Sequence, residues 1–237
     1  MLALLDHRVP QAAEAALAEK GYKVIRMPSH PSLPSPVAAH ADLLLFFAPE
    51  EILCTKAYFN IAGDRLFEIA NTAKKPLRLI EDELGDTYPN DVFLNAAILG
   101  DTLFCNPKTV AKRILISLSQ KEIVSVKQGY TKCSILPVGD RALITEDVSI
   151  ADLGSNHGFD ALLIEKGHVA LPGYDTGFLG GASSFSPYRE TSEIFFCGDL
   201  ESHPNAKEIR AFCKRHQKTP ISLGDFPLLD AGTIFLI

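Results

Sequence analysis

Asn95-Ala96-Ala97-Ile98-Leu99-Gly100-Asp101-Thr102-Leu103-Phe104-Cys105-Asn106-Pro107 reads as two short apolar runs joined at Gly100-Asp101 and closed by an Asn-Pro pair. Gly-Asp after an apolar run marks a tight turn between strands. Asn106-Pro107 predicts a helix start, because the Asn side chain caps and Pro fits the first helical turn. The predicted order is strand, turn, strand, helix. The same order returns at Ser134-Ile135-Leu136-Pro137-Val138-Gly139-Asp140, followed by Ala142-Leu143-Ile144-Thr145. It is also present earlier, at Phe46-Phe47-Ala48-Pro49-Glu50, followed by Ile52-Leu53-Cys54-Thr55.

Outward from these hairpins the whole chain is a repeat. Five units open with an apolar strand near positions 2, 52, 103, 142 and 194. Each continues into a stretch of helical period, over 10–20, 61–73, 107–119, 149–156 and 204–214, with apolar residues at i, i+3 and i+4. Ala13, Ala16 and Leu17 show the pattern, and so do Val110, Ile114 and Leu118. Gly158 is the expected C-terminal stop of the fourth helix. Each unit closes on a second strand, at 22–27, 77–80, 123–126, 161–164 and 220–223. Pro28 to Pro36 is Pro/Ser-rich but falls inside a unit, so it predicts a long surface loop and not a domain boundary. The expectation is one domain, 1–237. Such units expose an apolar face that neighbours must cover. The apolar end Ile234-Phe235-Leu236-Ile237 has no polar cap, which predicts that it pairs back onto the first unit and closes a ring.

Composition excludes several function classes. Of 237 residues 46% are hydrophobic and 22% charged, as in ordinary globular proteins. The apolar run Leu43 to Ala48 is too short to span a bilayer, and Met1 to Asp6 meets a charge without a basic leader. No membrane partner and no signal peptide are expected. A net charge of −6 with no basic cluster argues against nucleic acid. Five cysteines without paired spacing predict reduced thiols in the cytoplasm. No metal-ligand spacing and no cofactor motif is present.

Five ββαβ units in a propeller-like α/β ring with pseudo-five-fold symmetry describe the pentein fold. The chain resembles the guanidino-group-modifying superfamily of that fold: deiminases, dimethylarginine hydrolases and amidinotransferases. Two short stretches carry the resemblance. Asn90-Asp91 stands where those enzymes have Arg-Asp, and Gly173-Tyr174-Asp175-Thr176 where they have His-x-Asp-Thr. The resemblance implies Asp91 and Asp175 as catalytic or anchoring acids. The family's His is replaced by Gly173, and no cysteine follows Cys213 to act as its C-terminal nucleophile. Both groups that the thiol mechanism needs are therefore missing from their usual places.

Aligned on their turns, His40, Asp91 and Tyr130 all stand nine residues upstream, and Tyr174 matches Tyr130. Equivalent positions converge in a ring, so His40, Asp91, Tyr130 and Tyr174 are expected to share one end of a small polar pocket suited to a cation, with Asp175 and Asp230, equivalent to each other, one step along and Asn90 as a further ligand-binding candidate. The opposing view is that they satisfy strand ends and turns. Cys133 is the candidate relocated nucleophile, since neighbouring Lys132 would lower its pKa; its repeat equivalents Leu94 and Gly177 favour packing instead. Cys54, Cys105 and Cys197 share one repeat position and read as core. The glycines at 173, 177, 180 and 181 favour close backbone approach over a phosphate cradle. Ser183 to Thr191 reads as a lid or exposed loop, and His168 as a residue facing the pocket from a strand. The leading expectation is a binder of a small polar or cationic ligand. The alternatives are an amidinohydrolase or deiminase using Cys133, and a non-catalytic protein-interaction module. Nothing in the sequence sets the oligomeric state.

Overall fold

The computed structural model describes residues 1–237. The first unit is β1 (Leu2–Asp6), α1 (Gln11–Glu19) and β2 (Lys23–Met27). A short helix α2 (Ala41–Leu44) then leads into the second unit: β3 (Phe46–Phe47), β4 (Ile52–Thr55), α3 (Lys56–Ala73) and β5 (Leu77–Ile80). The third is β6 (Ala97–Leu99), β7 (Thr102–Cys105), α4 (Lys112–Ser117) and β8 (Glu122–Ser125). The fourth is β9 (Ile135–Gly139), β10 (Ala142–Thr145), α5 (Val148–Asn156) and β11 (Asp160–Leu163). The fifth is β12 (Ser184–Phe185), β13 (Glu193–Phe196), α6 (Ala206–Arg215) and β14 (Thr219–Ser222), and β15 (Ile234–Leu236) ends the chain.

The pairing is one rule repeated. β4 runs parallel to β5, β7 to β8, β10 to β11 and β13 to β14, each across its helix, as parallel partners must. β3, β6 and β9 lie antiparallel on β4, β7 and β10 through tight hairpins. The first unit takes its antiparallel strand from the far end of the sequence: β15 pairs with β1, Ala3 opposite Leu236 and Leu4 opposite Phe235. The expected return of the last strand onto the first unit is therefore observed. β12 runs parallel to β15, and Ser183, just before it, forms an isolated bridge with Phe196 of β13. The result is a mixed α/β protein of five small sheets.

Packing explains why no unit stands alone. The apolar face of α3 (Tyr58, Leu66, Ile69) is buried with Leu4, Ile25 and Met27 of the first sheet. Ile114 and Leu118 of the α4 segment lie with Leu53 and Ile80 of the second sheet. Ile150 of α5 lies with Phe104 and Val124 of the third, and Ile209 and Phe212 of α6 with Leu136 and Ile144 of the fourth. The series continues through the chain ends: Ala13 and Leu17 of α1 are buried with Phe195, Cys197 and Leu223 of the fifth. Each helix is covered by the sheet of the unit before it.

Local differences from the sequence reading have local causes. α3 starts at Lys56, five residues earlier than predicted, because Thr55 Oγ1 accepts the Tyr58 N–H at 3.1 Å. α4 starts only at Lys112. Asn106 closes a turn instead, its Oδ1 accepting the Lys108 N–H, while the Ala111 N–H goes to the Phe93 carbonyl at 2.9 Å. The Pro28 to Pro36 segment is a loop, but a pinned one: His30 and Leu33 are buried, Tyr58 donates to the Pro28 carbonyl, and Arg8 donates to the carbonyls of Ser35 and Pro36. Ser183 to Thr191 is not wholly exposed, because Ser183 and Ser184 are buried at β12. No helix is long and apolar enough to cross a membrane.

Candidate functional site

The segments that enter β3, β9, β12 and β15 converge on one cavity of about 190 Å3. Its polar lining is His40, Tyr130, Cys133, Tyr174, Thr176 and Asp230, and Val37, Leu43, Leu171 and Phe178 supply the apolar wall. Sequence register placed His40, Asp91, Tyr130 and Tyr174 together with Asp230 one step along; His40, Tyr130, Tyr174 and Asp230 line the one cavity, and Asp91 meets it only through the Tyr130 hydroxyl.

Asp230 is 4% exposed. Its Oδ2 accepts the Phe178 N–H at 2.9 Å and its Oδ1 the Gly232 N–H at 3.0 Å. Burial pushes its pKa up to about 6 against the pull of those two donors. Gly177 and Gly181 press against this carboxyl, and a Cβ on either would overlap it. Gly180 lies equally close to the carbonyls of Cys133 and Ile135. The glycine-rich stretch thus serves close backbone approach. His40 lies 3.8 Å from Asp230 on one side and 3.8 Å from Asp6 on the other. Burial pulls its pKa down and favours the neutral ring. Tyr130 donates its hydroxyl to Asp91, and its ring lies near-parallel to Phe178 at 6.3 Å. Asp91 is buried, and its second oxygen has no partner.

Cys133 lines the cavity, and burial favours its protonated thiol. Its Sγ lies 3.2 Å from Asp42 Oδ2 and accepts the Asn95 Nδ2–H at 3.1 Å. Burial raises its pKa well above the ordinary value, and the carboxyls of Asp42 and Asp230 raise it further. The expected lowering by Lys132 is not found. Lys132 is itself buried and pulled down by burial, and it donates to Thr233 Oγ1 at 3.1 Å.

Asp42, Asn95, Lys132 and Thr233 form the polar layer beneath the cavity. Thr233 Oγ1 lies 2.7 Å from Asp42 Oδ2, and Asn95 Oδ1 accepts the Lys132 N–H at 2.7 Å. Thr233 has φ +64°, a left-handed backbone that β-branched residues rarely adopt. The repeat held a signal for two of the four: Asp42 and Lys132 both stand seven residues before their turns. Three candidates fall elsewhere. Asp175 is exposed, just after the turn closed by the Tyr174 N–H on the Leu171 carbonyl, and the acid that lines the cavity is Asp230. Asn90 is an exposed turn residue bonded through its backbone to Thr87 and Gly85. His168 sits against His203 and Glu165, away from the cavity.

Solved structures share this architecture. A dimethylarginine dimethylaminohydrolase from Pseudomonas aeruginosa superposes with a TM-score of 0.56 over 93% of this chain and 90% of its own, at 8% identity. The C. jejuni agmatine deiminase gives 0.53 over 86% and 71%, at 8% identity. An amidinotransferase of the saxitoxin pathway from Microseira wollei gives 0.51 over 94% and 84%, at 14% identity. The fold is that of the pentein superfamily. The chain belongs to the DUF6873 family, a family of unknown function whose model matches residues 4–235. No curated protein matches it in sequence.

Proposed function

We propose that the protein binds a small cation, of the guanidino, amidino or amine class, in the central cavity, anchored by Asp230 and walled by Tyr130, Tyr174 and Phe178. The observation that carries this reading is a charge imbalance. Two buried carboxyls, Asp42 and Asp230, have one buried lysine near them, Lys132, which donates to Thr233 and not to either acid, and burial favours the uncharged form of His40. A cation in the cavity completes the balance, which matters because unpaired buried charge is costly. Dimethylarginine and agmatine, in the names of the structural neighbours, belong to the same chemical class. The five sheets are then units of one closed, pseudo-five-fold ring, as the burial of α1 against the last unit's sheet suggests. Five free thiols are in keeping with a cytoplasmic setting.

A second reading rests on Cys133, whose thiol faces the cavity with Asp42 Oδ2 at 3.2 Å to take its proton. That arrangement suits an amidinohydrolase or deiminase with a displaced nucleophile.

Calorimetric titration with agmatine and arginine separates the two. Binding is expected to be lost in Asp230→Asn. It is also expected to weaken about tenfold per pH unit below about 6, because protonation removes the anchoring charge. Binding indifferent to that substitution, or no binding of either cation, rejects the first reading. Release of ammonia or urea, abolished by Cys133→Ser, establishes the second.

A further inference from the structure

β9 starts two residues after Cys133, at the central cavity, and ends at Gly139. At that far end lies a separate cleft of about 560 Å3, three times the volume of the cavity and within the range of small-molecule sites. It is bounded by the turns at Pro49, Gly100 and Gly139 and by residues 184–191. Its floor is apolar, with Phe47, Ile98, Val138, Phe185 and Ile194.

Its charged groups are Lys121, Lys218, Arg189, Asp140 and Glu190. The basic side chains are drawn in and the acidic ones stand out. Lys121 and Lys218 are only 17% and 12% exposed, whereas Glu190 is 91% exposed and Asp140 is also exposed. Lys121 Nζ donates to the Gly100 carbonyl at 2.8 Å, and the nearest carboxylate, of fully exposed Asp101, is 3.5 Å away. Lys218 Nζ donates to the Thr191 carbonyl at 2.6 Å and to Glu190 at 3.3 Å. Arg189 is engaged elsewhere, its Nη2 donating to Tyr22 at 3.0 Å, so the available charge is that of the two lysines. An ammonium carries three donors, and solvent-screened acids compensate little. The cleft therefore offers positive charge and spare donors above an apolar floor.

We propose that this cleft is a second ligand site, which takes a small organic anion: a planar or apolar body bearing a carboxylate or phosphate. The proposal is independent of the reading of the central cavity.

2-Naphthoate and its neutral analogue 2-naphthamide are the probes, titrated into the isotopically labelled protein and followed by amide chemical shifts. Naphthoate is expected to bind at least about tenfold more tightly than the amide, with shifts confined to residues 98–100, 137–140 and 184–191. Lys121→Gln and Lys218→Gln are each expected to weaken it about tenfold, as loss of one charge-assisted contact implies. Asp140→Asn, which removes a rim acid and leaves the lysines and their carbonyl partners in place, is expected to tighten it. This variant keeps the test decisive if a lysine variant unfolds. Equal binding of acid and amide, no binding of either, or shifts centred on His40 and Asp230 would overturn the proposal.

Discussion

Cys133 shows how neighbours in sequence and neighbours in space can make opposite demands on one thiol. Lys132 follows the same chain path, yet its ammonium turns to Thr233, while the thiol is left facing Asp42 and Asp230. At 2% exposure and with a raised pKa, Cys133 is expected to resist iodoacetamide in the native protein from pH 7 to 8.5, like the other four cysteines, and to react once the chain is unfolded. Rapid native labelling of Cys133 alone, read by mass spectrometry, contradicts this and promotes the enzyme reading. Glu146 makes a second prediction. Burial raises its pKa to about 8, and its Oε1 has no partner. A raised acid pKa favours folding while the group is protonated, so this stability is fully present below pH 4.5 and is lost as pH rises through about 8. Glu146→Gln is expected to match the wild type near pH 5 and to exceed it by about 2 kcal/mol at pH 9, a figure kept below the full shift because the side chain is partly solvated. Urea melts at the two pH values decide it. Four cavity residues were legible because a repeat register is a spatial statement. Asn95 and Thr233 were not, because only tertiary contact shows which polar side chains are buried against one another.

Element boundaries follow caps more closely than they follow apolar period. α5 begins where expected, because Asp147 Oδ1 accepts the N–H groups of Ser149 at 2.8 Å and Ile150 at 3.2 Å. Asp147→Ala is expected to cost about 1 kcal/mol in denaturant melts; an unchanged midpoint means the cap is idle. The middle strands were legible as nearly continuous apolar runs, as in β4 and β10, and the closing strands as mixed runs such as β5, where Arg78 interrupts apolar residues, placed after each helix. β12 was not, since two residues cannot display a period and its serines look like surface. Asn106-Pro107 misled for a related reason. The local signal for a helix start was sound, but the Phe93 carbonyl captured the Ala111 N–H and set the start further along.

For the whole molecule the telling contact is α1 against the last unit's sheet. In an open array the first helix would be an end that frays. Leu17 is instead fully buried among Phe195, Leu223 and Ala231. Leu17→Ala is therefore expected to cost about 3 kcal/mol and to shift a single cooperative transition. A loss below about 1 kcal/mol, or a separate early transition by hydrogen exchange, would mean that the seam between first and last units is weak.

β1 lies between β2 and β15, and the two ends of that pairing are roughly 230 residues apart in sequence. A ribosome adding 5–20 residues per second therefore makes β15 roughly ten to fifty seconds after β1. Through that interval the edge of β1 has no antiparallel partner and α1 lacks its cover from Phe195, Cys197 and Leu223. Nascent chains are thus at greatest risk of aggregation or proteolysis until β15 has emerged, and holding by a chaperone matters most over that interval.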